Sequence, residues 1–245
     1  MRRARAGTYA TEPMSGRPAA ERREELIGLL QEMREEHHCP LVAERTNLVF
    51  GAGNADADLM FVGEAPGRHE DEQGLPFVGR AGQLLEQLLG EIGLSRADVF
   101  ITNTLKCRPP GNRDPLPSEL EVCTPFLYRQ IELIQPRVIC TLGNFATKLL
   151  TERPDGISRC HGRPCVRELG GRPVRLFPVF HPAAALRTPQ IADLMRADFA
   201  RLPAMLEEPL PDPVGPAPEP AQELAGPTVE PAPDPEPEPA QLDLF

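Results

Sequence analysis

Four short β-leaning runs recur along this chain, Leu59–Gly63, Val99–Leu105, Val138–Leu142 and Val174–Phe180, and a segment of helical character stands between each and the next. Strands that alternate with helices are joined by crossovers and lie parallel, and both faces of their sheet must be covered. The expectation is therefore a three-layer α/β/α domain around a central, mainly parallel sheet of four strands. Leu84, Leu85, Leu88, Leu89 and Ile92 fall on one face of a helix over 80–92, and Leu26, Ile27, Leu30 and Met33 do the same over 19–36. Ser118 with Glu121 reads as a capping box that opens a helix running toward Gln135. Asn144 reads as the cap of a short helix through Leu150, and Ile191–Leu202 as a last helix. The linker from Cys160 to Pro173 contains Gly170-Gly171 and reads as a small hairpin.

Charge divides the chain into parts. The 40 residues from Leu206 onward hold 12 of the 30 prolines, ten acidic residues and no Lys or Arg, which leaves 26 acidic against 26 basic residues before them. The net charge of -10 thus belongs to a tail, and the neutral body is free to meet a polyanion. We expect a disordered segment over 1–18, a folded body over 19–205, and a disordered Pro/acidic tail over 206–245. No run of 18 apolar residues exists, and Arg2, Arg3 and Arg5 are not followed by an apolar stretch of leader length. A cytoplasmic, monomeric protein without membrane contact is expected. Six cysteines in such a chain are too few for a disulfide scaffold and read as metal ligands or buried apolar residues.

In an open α/β sheet ligands sit at the carboxyl ends of the strands. Those ends here carry Glu64-Ala-Pro-Gly67, Lys106-Cys-Arg-Pro-Pro110, Gly143-Asn144 and His181-Pro-Ala183. Gly63-Glu-Ala-Pro-Gly67 continues through Glu70-Asp71 to Gly74-Leu-Pro-Phe-Val-Gly-Arg-Ala-Gly82. Thr102-Asn-Thr-Leu-Lys-Cys-Arg-Pro-Pro110 and Phe180-His-Pro-Ala183 follow in order. Over roughly 39–199 this set resembles the family 4 uracil-DNA glycosylases, the iron-sulfur branch of their superfamily. The resemblance implies hydrolysis of the N-glycosidic bond of uracil in DNA, leaving an abasic site for base excision repair.

An enzyme acting on a base in duplex DNA must first extrude it, at a cost of roughly a few kcal/mol that a pocket must offset. Phe77, on a tight loop between Pro76 and Gly79, is suited to stack on the flipped base, though core packing is its plainer reading. Asn103 presents one donor and one acceptor to the N3 and O4 edge of uracil, though Asn at a strand end is commonly a turn residue. His181 would aim a donor at O2, where negative charge develops as the bond breaks; that role is implied by the resemblance. Glu64 and Ala65 would line the pocket mainly through backbone. Glu70 and Asp71 are the candidate carboxylates for positioning water. Arg68, Arg80, Lys106, Arg108, Arg113 and Arg187 lie in or beside these loops and make a candidate phosphate-binding rim.

Cys39, Cys107 and Cys123 match three of the four ligands that the resemblance implies for a [4Fe-4S] cluster, whose iron is held best by thiolates. The fourth position is Glu36, with His37 and His38 beside it. Cys160 and Cys165 read as free thiols in the hairpin, and Cys140 as core. The chain ends in Gln241-Leu242-Asp243-Leu244-Phe245, which resembles the pentapeptide by which bacterial DNA-metabolising proteins bind the DNA polymerase sliding clamp. That partner implies work at the nucleoid, with a proline-rich tether reaching on the order of 120 Å at ~3.1 Å per residue. A related branch traps the sugar covalently through a histidine in the loop after the second strand, but 111–115 reads Gly-Asn-Arg-Asp-Pro. A non-catalytic iron-sulfur DNA-binding protein recruited by the clamp is the rival from another class.

Overall fold

The computed structural model describes residues 18–36 and 39–209. Helix α1 spans Ala19–Glu36, followed by strands β1 (Ala52–Gly53) and β2 (Leu59–Gly63), helices α2 (Arg68–Gln73) and α3 (Arg80–Glu91), and strand β3 (Phe100–Asn103). Helix α4 (Pro117–Ile134), strand β4 (Val138–Leu142), helices α5 (Asn144–Thr151) and α6 (Ile157–Cys160), and strands β5 (Cys165–Leu169) and β6 (Arg172–Val179) come next. Helices α7 (Pro182–Ala185), α8 (Pro189–Phe199) and α9 (Leu202–Glu207) close the body two residues beyond the expected boundary at 205.

The four expected strands form the parallel centre of the sheet, and two antiparallel edge strands widen it to six in the order β1-β3-β2-β4-β6-β5. β5 is the first arm of the expected hairpin. Gly170 and Gly171 both take positive φ, 60° and 73°, which is the geometry that a two-residue turn between twisted strands requires.

Side chains alternate along each strand, so two apolar clusters lie on opposite faces. Leu59, Phe61, Ile101 and Phe177 face α3, α8 and α9 through Leu85, Leu88, Met195 and Phe199. Met60, Val62, Ile139 and Leu176 face α1, α4 and α5 through Met33, Ile131 and Leu150. These are the three layers read from the sequence. Cys140, expected in the core, is fully buried in β4.

Two helix starts differ from expectation. The N-cap of α4 is Leu116, whose backbone N–H donates to the Glu119 carboxylate at 2.8 Å. Ser118 lies inside the helix, because Pro117 at its first turn fixes the earlier start. Asn144 does not cap α5; its carboxamide oxygen accepts from the Ile157 N–H at 2.8 Å and ties the following loop back to the helix.

Arg137, just before β4, and Arg175, which pairs with Val138 at the start of β4, hold the last described residues. Arg175 donates to the Met205 carbonyl at 2.8 Å and the Pro209 carbonyl at 3.3 Å, and Arg137 donates to the Glu208 carbonyl at 2.7 Å.

Candidate active site

At the opposite, carboxyl edge of the sheet lies a cleft of about 480 Å³. It gathers Glu64, Ala65, Glu70, Phe77, Asn103, His181 and Arg187 from loops that follow β2, β3 and β6. Asn103 closes β3 at its floor, only 1% exposed, and its Oδ1 is buried without a hydrogen-bond partner. An orphan carbonyl costs about 1–3 kcal/mol, so an N–H donor entering the cleft recovers that penalty.

His181 caps α7, and its Nδ1 accepts from the Ala183 N–H at 3.2 Å. That bond leaves the ring proton on Nε2 in the neutral form. Burial pushes the imidazole down to about 4 from its ordinary 6.5, against a smaller opposing pull from Glu70. His181 is therefore a neutral donor at physiological pH.

Phe77 packs against His181 with ring centroids 5.5 Å apart. Its φ of 53° is strained for a bulky residue, and several contacts impose it. Arg96 donates to the Phe77 carbonyl at 2.8 Å and to the Pro76 carbonyl at 2.5 Å. Glu70 Oε1 accepts from the Val78 and Gly79 N–H groups, both at 2.9 Å. Gly82 lets α3 approach so closely that an added Cβ would stand 1.7 Å from the Phe77 oxygen. At the floor, an added Cβ on Gly63 would lie 2.4 Å from Asn103 Oδ1 and 2.6 Å from Phe77 Cζ.

Residues 50–203 match the family model of the uracil DNA glycosylase superfamily. The chain is 46% identical over 183 residues to a type-4 uracil-DNA glycosylase of Archaeoglobus fulgidus, covering 73% of this chain and 92% of the relative. The chain belongs to the type-4 uracil-DNA glycosylases. Proteins of that name from Saccharolobus solfataricus and Thermotoga maritima are 46% and 47% identical, covering 71% and 67% of this chain and 83% and 85% of theirs.

Two of the residues singled out from this glycosylase's sequence stand elsewhere than expected. Lys106 is fully buried, and its Nζ donates to Thr102 Oγ1, the Asn103 carbonyl and Gln130 Oε1 at 2.6–2.7 Å. Burial lowers its pKa to about 7, and the lysine braces the strand end that carries Asn103 instead of joining a phosphate rim. Asp71 is 3% exposed and accepts from the Thr46 N–H at 2.9 Å and the Asn47 N–H at 3.3 Å. It pins the segment after Cys39 and does not line the cleft.

Among the expected rim residues, Arg80 and Arg187 are exposed, Arg68 pairs with Glu72 at 2.8 Å, and Arg108 donates to Asn112 at 2.7 Å. Arg113 lines the cleft but carries a two-toothed pair with buried Glu119, at 2.5 and 3.0 Å.

Sequence reasoning passed over Asn112 and Asp114, which also line the cleft. The signal was present in Asn112-Arg-Asp114, one glycine after the Pro-Pro that ends the second strand's loop. Glu64 is raised above the ordinary carboxyl range by burial first and Asp114 second.

Cys39, Cys107 and Cys123 come together with Leu41 and Leu105 in a third buried cluster. The Cys39 thiol is in hydrogen-bond contact with both of the others, which with burial raises Cys107 and Cys123 far above the ordinary thiol value. Arg45 donates to Cys107 Sγ at 3.2 Å. Among the described residues no group of three or more His, Cys, Asp or Glu has the arrangement of a single-ion site. Three convergent thiols in an apolar shell are nonetheless a donor set that fits an iron-sulfur group. The Glu36 side chain, His37, His38 and the whole of 241–245 lie outside the described residues. No described helix is long and apolar enough to cross a membrane.

Proposed function

We propose that this cleft receives an extruded uracil from DNA and hydrolyses its N-glycosidic bond, leaving an abasic site for repair. The observation that carries this reading is the buried, unpartnered Oδ1 of Asn103. Uracil offers it the N3–H, whereas cytosine has no hydrogen at N3 and leaves the acceptor orphaned, a penalty of the kind that gives strong discrimination. Phe77 stacks on the base, and the Glu64 and Ala65 backbone borders it. The neutral His181 donates from Nε2 to O2 as charge moves onto the ring. Glu70 fixes the Phe77 loop through one oxygen and keeps the other for a water or for the cationic sugar. Arg80, Arg108 and Arg187, with Arg68 and Arg113 once released from their carboxylates, meet phosphates. Incubation with uracil-containing duplex and single-stranded oligonucleotides should yield alkali-labile strands at the uracil; strands that stay intact would sink the reading.

Cys39, Cys107 and Cys123 would hold a [4Fe-4S] cluster, with Glu36, His37 or His38 as the fourth ligand. Such a group supplies a cross-link between the segment after α1, the loop after β3 and α4. Protein purified without oxygen should contain iron and sulfide, and Cys107→Ala should lose both and unfold at lower temperature. Iron-free wild-type protein of full stability would show the three thiols to be a plain core.

The enzyme works as a monomer at the bacterial nucleoid, in the cytoplasm. Gln241, Leu242, Leu244 and Phe245 engage the sliding clamp, where an apolar pair after an acidic sequence suits a partner's hydrophobic pocket. Deleting 241–245 should abolish clamp binding and leave excision on short oligonucleotides unchanged; equal clamp binding with and without them would refute the assignment.

A further inference from the structure

A second cavity, of about 430 Å³, opens beside β5 and β6, and it is lined by Arg153, Arg159 and Arg163 with Asp155 as its only carboxylate. Among the described residues none of the three guanidinium groups has an ion-pair partner; Glu152, next in the chain, is taken by Arg167. Its position follows from the strand pairing. β5 runs antiparallel to β6, and Gly162 N–H donates to the Pro178 carbonyl at 2.9 Å, so Arg163 stands at the carboxyl end of β6. The His161 ring touches Phe180 at 4.6 Å between centroids, and Phe180 immediately precedes His181. The arginine cavity and the base cleft thus share one edge of the sheet, joined through two aromatic rings.

Charge gives this cavity its meaning. A formally neutral body must concentrate uncompensated cations where a polyanion lies. Around the cleft Lys106 is buried, Arg68 is paired with Glu72 and Arg113 with Glu119. Three arginines without ion-pair partners among the described residues, in a concave surface on the same edge, make a second anion site beside the exposed Arg80 and Arg187 of the cleft. We propose that Arg153, Arg159 and Arg163 form a second DNA-backbone subsite, which grips phosphates on one side of the extruded nucleotide. The inference rests on reading the cleft as a DNA site, and it adds a direction: the enzyme's footprint is lopsided about the uracil.

The test uses the full chain with R153Q/R159Q/R163Q, against duplexes of about 30 base pairs carrying a central uracil and against duplexes cut short on one side or the other. Removing one arginine–phosphate pair should lower the slope of log affinity against log salt by about 0.9, so the triple variant should lose about 2 to 3. Affinity for the long duplex should fall roughly tenfold or more at low salt. Shortening the DNA on one particular side should erase the difference between the proteins, and shortening the other side should not. The triple Lys variant, which keeps the charges, should restore most of the salt slope. An unchanged slope, or a loss equal on every substrate, overturns the proposal. A gain in wild-type DNA affinity on deleting 210–245 that vanishes in the triple variant would support it, because the acidic segment can compete only where DNA itself binds. If the wild type releases no uracil, the reading of the cleft fails, while the salt slope on undamaged duplex still tests the arginines.

Discussion

Replacing His181 by Ala leaves a protein that holds duplex DNA but excises uracil about 10²–10³-fold more slowly in single turnovers, the usual effect of removing one donor from a developing oxyanion. Asn103→Ala should fall in the same range. In wild type the carboxamide oxygen has no other partner, so the interaction with the base is its whole satisfaction. Rates within threefold of wild type for both variants would remove the assignment of the pocket. The protonation state sharpens the test. Since the fold holds His181 neutral, with a pKa of about 4, the Nε2–H donor is present throughout the range above pH 5. Excision should stay flat from about pH 5.5 to 8 as far as this group is concerned. A tenfold fall as pH rises through 6.5 would mean that the imidazolium is the donor. Stability should follow the depressed value: the contribution from keeping His181 neutral is complete above 6.5 and is lost as pH falls toward 4, because the unfolded chain takes up the proton first. His181→Ala should flatten that part of the stability profile.

Gly63→Ala is expected to abolish uracil release while sparing the fold. Its methyl would intrude on Asn103 Oδ1 and on the Phe77 ring at distances no pair of carbon and heavy atom tolerates. Both neighbours are groups proposed to contact the base, and each must move by about an ångström. A displacement of that size costs on the order of 10² in rate, and two together more. The nearest atoms that the added methyl meets are all side-chain ends and none is backbone, so the thermal midpoint should shift by only a few degrees. Wild-type single-turnover rates in this variant would show that the floor of the cleft is elsewhere.

Much of this architecture was legible in the sequence because the signals were local. Apolar runs of strand length marked the parallel centre, and Gly170-Gly171 marked the hairpin. What escaped depended on partners far along the chain. A lysine beside three motif residues reads as surface charge until Gln130, on α4, and Thr102 supply acceptors for its ammonium. Asp71 looks solvated until Thr46 and Asn47, some 25 residues earlier, turn their N–H groups toward it. β1 has only two residues and no alternation to detect. At α4 the Ser-x-x-Glu pattern was a decoy, since the cap is made by Leu116 and Glu119, about two residues earlier than the pattern implied.

The clasp formed by Arg137 and Arg175 on the carbonyls of 205–209 bears on how any partner acts through the C-terminal segment. The clasp stands at the rear of the sheet, about 17 Å, one strand length, from the edge that carries Phe77 and His181. A pull on Pro209 is borne first by Arg137 and Arg175, which stand away from the loops around the base. A partner held there has no lever on the chemistry. Its influence is confined to effective concentration, which linking two binding events can raise to the millimolar range. Encounter with DNA near such a partner is accelerated, and each excision, once the base is seated, proceeds at the pace of the untethered enzyme.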